Sequence, residues 1–104
     1  MRKSANKKII ETTTWNKDLD KGATLEGVYV QKEVFEGKFG TTEKYVIEYE
    51  GNMYGVFSSA SLLRQFKNIP EGSYVWIEYK GEETSKNGRP VKVYAVDYDD
   101  EYQS

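Results

Sequence analysis

The sequence predicts an all-β domain: five antiparallel strands curled into a small barrel, with one short helix between the third strand and the fourth. Three observations carry this reading. Apolar residues alternate in short runs between Gly, Asn and Pro punctuation, as half-buried strands require. The first run is the longest, and its apolar parity changes partway, which suits a curved strand shared by both halves of a barrel. One stretch alone has helical spacing, and a proline stops it.

The elements follow in order. Residues 1–21 are mostly polar, with Ile9, Ile10 and Trp15 among the few large apolar groups; they read as an irregular basic arm, with Trp15 as its anchor on the body. Thr24 to Glu36 is the long first strand, filled by Leu25, Val28, Tyr29, Val30, Val34 and Phe35, with Gly27 offering a bend or bulge. Residues 37–42 form a loop. Lys44 to Glu50 is the second strand, with Tyr45, Ile47 and Tyr49 on one side and Lys44, Val46 and Glu48 on the other. Gly51-Asn52 makes a tight turn into a short third strand, Met53 to Phe57.

Ser58-Ser59 offers a helix cap, Leu62, Leu63 and Phe66 fall at helical spacing, and Pro70 forbids extension, so the helix covers residues 60–68. Tyr74 to Lys80 alternates Val75, Ile77 and Tyr79 against Tyr74, Trp76 and Glu78. Residues 81–90 form a second loop, and Val91 to Tyr98 is the last strand. A helix between strands three and four plugs one end of the barrel, which is the order of the OB-fold Greek-key barrel. The organisation is thus a basic arm (1–21), a barrel (22–98) and an acidic tail (99–104).

Composition narrows the chemistry. The 104 residues include no Cys and no His. Disulfides and thiolate chemistry are excluded, and the usual general base and commonest metal ligand are missing. No catalytic residue, metal or cofactor is expected. The net charge of −2 hides an asymmetry. Residues 1–21 carry six Lys/Arg against three Asp/Glu, residues 22–96 nine against ten, and residues 97–104 four acids and no base. No apolar run follows the basic start, so neither a signal peptide nor a membrane span is expected.

In an OB barrel the ligand face is built on strands two and three and flanked by the one–two and four–five loops. Here those loops carry Lys38 and Phe39, and Lys86 and Arg89 beside Asn87-Gly88. Cations neutralise phosphates and aromatic faces stack bases. The expected nucleic-acid residues are Lys32, Lys38, Lys44, Lys86, Arg89 and Lys92 for phosphates. For stacking they are Tyr29, Phe35, Phe39, Tyr54 and Trp76. Alternation places Tyr29, Phe35, Tyr54 and Trp76 outside the core, although tyrosines on barrel strands more often pack inside.

Two stretches carry a resemblance. "GSYVWIEYKGEETSKNGRPVKVYAVDYD" (Gly72 to Asp99) and "YGVFSSASLLRQF" (Tyr54 to Phe66) resemble the C-terminal half, and the third strand and helix, of small phage single-stranded DNA-binding proteins. The likeness spans residues 24–99. It implies an OB-fold that binds single strands with little sequence preference, as an oligomer such as a dimer, in replication or recombination and without catalysis. With neither signal peptide nor membrane span read, a cytoplasmic location is expected, in the host cell for a phage-encoded chain. Glu48, Glu50, Glu82 and Glu83 depart from a strongly basic face, so moderate affinity and a shallow salt dependence are expected.

The acidic tail (Asp97, Asp99, Asp100, Glu101) has two functional readings besides plain solubility. It can mimic phosphate at the basic loop, or recruit replication and recombination proteins. Three other readings compete. Glu78-x-Lys80 fits a metal-dependent nuclease only with an upstream Asp, and none lies between Asp20 and Asp97. Glu36 to Thr42 lacks phosphate-loop spacing. The stronger rival is a protein-interaction barrel, OB or SH3-like, with Trp76 and the tyrosines as hot spots.

Overall fold

The computed structural model describes residues 9–38, 40–84 and 86–101. It is mostly β, with one short helix and a single curled half-barrel sheet of six strands. The elements are β1 (Thr13–Thr14), β2 (Thr24–Gly37), β3 (Gly40–Tyr49), β4 (Asn52–Phe57), α1 (Ala60–Phe66), β5 (Tyr74–Thr84) and β6 (Pro90–Asp99). Their order across the sheet is β1-β4-β3-β2-β5-β6.

The five expected strands and the helix are all present, and β1 is an addition. Thr13 and Thr14 pair in parallel with Tyr54 and Gly55. Part of the arm, Thr13–Thr14, is therefore a strand where the sequence suggested irregularity, because backbone hydrogen bonds hold it. The Trp15 amide donates to the Gly55 carbonyl at 2.8 Å. The Asn16 side chain then imitates one more strand residue: its Nδ2 donates to the Phe57 carbonyl (2.7 Å) and its Oδ1 accepts from the Phe57 amide (2.9 Å). Trp15 does anchor the arm, packing on the core beside Tyr94.

Among the described residues no ladder joins β4 to β6. Part of each edge is paired by other means. The arm takes the edge of β4, and α1 takes that of β6. The Ser61 hydroxyl accepts from the Tyr94 amide, the Gln65 amide donates to the Tyr94 carbonyl, and Gln65 Oε1 accepts from the Val96 amide. An edge whose polar groups are already paired has no drive to close further.

The curl comes from β2. It pairs with β5 through Thr24–Val28 and with β3 from Val28 onward, and an extra residue at Val30 breaks the register between Tyr29 and Gln31. Gly27 allows the bend: at φ +155°, a Cβ there would collide with the Glu48 carbonyl. Inside the curl lie Leu25, Tyr29, Tyr45, Ile47, Val56, Leu62, Phe66, Ile69, Val75, Ile77, Tyr79 and Tyr94. The Tyr45 and Phe66 rings stack at 4.0 Å, and Tyr29 meets both edge-on. Ser59 caps α1 by accepting from the Leu62 amide, and the helix delivers Leu62 and Phe66 to the core.

Both expected loops are shorter than read from sequence. β2 and β3 pair out to Gly37 and Gly40, with Lys38 in the turn between them. β5 and β6 pair out to Thr84 and Pro90. These outer rungs carry polar residues on both faces, such as Glu82 opposite Lys92, so no apolar alternation marks them as strand.

Candidate functional site

The bulge in β2 sorts its residues between two faces. Leu25, Gly27 and Tyr29 point into the core; Glu26 and Val28, then Gln31, Glu33 and Phe35, share the outer face. The sequence reading put Tyr29 outside. The structure corrects this: Tyr29 is 3% exposed and packed between Tyr45 and Phe66. Tyr54 is likewise turned inward, opposite Ile47 and against the core.

Phe35 and Trp76 do lie on the outer face. Phe35 is half-buried near the β2–β3 tip, with the Lys44 ammonium 5.8 Å from its ring centroid. Lys44 itself is not available to phosphate. Its Nζ lies 2.8 Å from Glu33 Oε1, both side chains are buried, and the arm covers them. The Lys44 ammonium donates to the Ile10 carbonyl at 3.0 Å and to Thr12 Oγ1 at 3.3 Å, while the Ile10 amide and the Gln31 side chain donate to Glu33 Oε2. Burial alone would raise the Glu33 pKa; the hydrogen bonds from Lys44, Ile10 and Gln31 and the Lys44 charge outweigh it and hold it low.

The remaining cations divide. Lys32 is exposed on β2, 3.8 Å from Glu43. Lys92 faces Glu82 across β5–β6. Lys38 sits in the β2–β3 turn, and Lys86 and Arg89 lie in the β5–β6 turn region, all exposed. Phe39 lies outside the described residues, as do Arg2, Lys3, Lys7 and Lys8 of the arm. β2 and β5 are antiparallel, so their hairpins leave the shared segment in opposite directions along a body 51 Å long.

Arg64 escaped the sequence reading. It lines a cleft between α1 and the second hairpin, with Ser61, Glu83, Thr84, Lys86 and Val91. Its signal was present: Leu62 and Phe66 face the core, so a residue midway between them on a helix faces out.

Trp76 is 43% exposed and stands between Glu26 on β2 and Asp97 on β6. Its ring lies 4.9 Å from that of Tyr74, whose hydroxyl donates to Glu26 Oε2 at 2.7 Å. Asp97 and Asp99 thus belong to β6 and not to a tail. They lie at the end of β6 remote from Lys86 and Arg89, about 25–30 Å away by strand rise.

Glu78 and Lys80 pair with each other on the surface at 3.3 Å. Among the described residues no group of acids is placed to hold a metal ion, and no helix is long and apolar enough to cross a membrane. No family model, curated protein or solved structure matches the chain.

Proposed function

We propose that this chain is an OB-type module that binds single-stranded nucleic acid, with DNA as the expected ligand and little preference for sequence. One observation carries the reading: a curled sheet with a bulged β2 and a helix between β4 and β5 projects two long hairpins, with exposed Lys38 at one tip and exposed Lys86 and Arg89 at the other. Lys38 serves one end. Lys86 and Arg89 serve the other, with Arg64 beside them. Phe35, on the outer face behind the first tip, offers a ring for stacking. Lys44 and Tyr29 act as structure beneath this surface. Trp76 is left out, since a phosphate beside Glu26 and Asp97 would be repelled.

Few cations make few phosphate contacts. If Lys38, Lys86 and Arg89 each neutralise one phosphate, log K falls with log salt at a slope of about −2. The test is anisotropy of labelled oligo-dT, with duplex DNA and oligo-U as comparisons, across a salt series. Binding to oligo-dT over duplex is expected. Lys86→Ala/Arg89→Ala should weaken binding and flatten the slope by about 1.4. Unchanged binding in this variant and in Lys38→Ala would overturn the surface, and no binding to any single strand would overturn the function.

A further inference from the structure

The outward positions of β2, β5 and β6 at the end remote from the second hairpin form a grid. Its rows are Val28–Tyr74–Asp99, Glu26–Trp76–Asp97 and Thr24–Glu78–Ala95, each a set of directly paired residues. Trp76 is the centre. Four of these nine positions are carboxylates and none is Lys or Arg. Glu26, Tyr74, Trp76 and Asp99 line an open cleft of about 420 Å³.

Trp76, 43% exposed, leaves part of its ring open to a ligand in the middle of this acidic grid. The carboxylates on both sides repel phosphate and favour a cation. A guanidinium or ammonium over an indole face gains from the ring quadrupole, and flanking carboxylates can accept its hydrogen bonds. The Tyr74–Glu26 hydrogen bond holds one wall of the cleft in place.

We propose that the Trp76 face docks an extended, Arg- or Lys-bearing segment of a partner protein, with one cationic side chain over the Trp76 ring between Glu26 and Asp97. The side chains beside Trp76 set direction: Asp99 and Tyr74 lie at one end of the cleft, while Glu78 beyond the other end is already paired with Lys80. The surface is separate from the hairpin tips, so one chain can hold a nucleic acid and a basic partner together.

The probe is an alternating Arg-Gly peptide added to the full chain, followed by calorimetry and by indole fluorescence. The control peptide carries citrulline in place of Arg. Binding of the Arg peptide alone is expected, and Trp76→Ala should weaken it about tenfold or more. Asp97→Asn/Asp99→Asn should weaken it severalfold, while Glu82→Gln/Glu83→Gln, which removes the same charge at the far hairpin, should leave it unchanged. Equal losses in the two double variants would reduce the effect to net charge and overturn the site. Binding of the citrulline peptide, or intact binding in Trp76→Ala, would overturn it also. Sedimentation without peptide tests for a second copy: self-association abolished by Trp76→Ala would assign the face to a dimer and sink the proposal. Competition by oligo-dT for this face would sink it too. Oligo-dT binding by the same variants keeps the result independent of the nucleic-acid reading.

Discussion

At the scale of single residues, the buried Glu33–Lys44 pair sets the sharpest expectation. Lys44→Met leaves the Glu33 carboxylate without its cation, which costs about 3–5 kcal/mol at a buried site. Adding Glu33→Gln removes the orphan charge and should recover most of that loss, as read by urea unfolding. Glu33 also predicts a pH dependence. Its folded pKa lies below the ordinary value of 4.5, so its contribution is complete above about pH 4.5 and is lost as pH falls through the folded value. Acid unfolding of the wild type should be steeper below that pH than in the Glu33→Gln/Lys44→Met variant. The tyrosines give the opposite limb. Burial raises the pKa of Tyr29, Tyr45 and Tyr94, with Glu71 and Glu43 adding to it for Tyr29, and the hydrogen bond to Glu43 for Tyr45. The folded state keeps these phenols protonated while the unfolded chain ionises near 10, so stability should fall as pH rises above about 10.

At the scale of elements, the strands and the helix were legible because their alternation is strong. Val75, Ile77 and Tyr79 against Tyr74, Trp76 and Glu78 fell as the pattern required. The bulge at Val30 was not legible in position, since Gly27 offers a bend nearby and the extra residue is an ordinary valine. That one residue put Glu33 on the outer face, while Tyr29, before it, follows Leu25 and Gly27 inward. β1 was hidden for another reason: its hydrogen bonds are backbone and amide contacts, which leave no hydrophobic pattern. Lys44 looked like a surface cation because the arm that covers it looked unstructured. Two substitutions test these devices. Gly27→Ala meets the Glu48 carbonyl and a positive φ together, and should cost about 2–3 kcal/mol. At Gly55 a Cβ would meet Thr12 Oγ1 at 2.6 Å and Lys44 Cδ at 3.1 Å. Gly55→Val should lift the arm from β4, and hydrogen exchange at Trp15 and Phe57, both tied to the arm, should accelerate before the core amides do.

At the scale of the whole molecule, charge is segregated. Exposed cations stand at the hairpin tips and carboxylates surround Trp76, while the chain carries a net −2. This geometry separates two accounts of the acids near the C-terminus. If they were a phosphate mimic seated on the basic tip, removing them would free that tip and tighten oligo-dT binding at all moderate salt. The structure instead fixes Asp97 and Asp99 in β6, opposite Trp76 and Tyr74, about 25–30 Å by strand rise from Lys86 and Arg89. At that distance they act on the tip only through the long-range field. The Debye length is about 10 Å at 0.1 M salt and about 30 Å at 0.01 M. Asp97→Asn/Asp99→Asn should therefore tighten oligo-dT binding by no more than a few-fold at 0.01 M salt, and the gain should vanish by about 0.15 M. The same holds for deletion of residues 100–104, which keeps β6 whole. A gain that persists at the higher salt would mean direct contact between acids and tip, and would replace the two-surface arrangement with a switch.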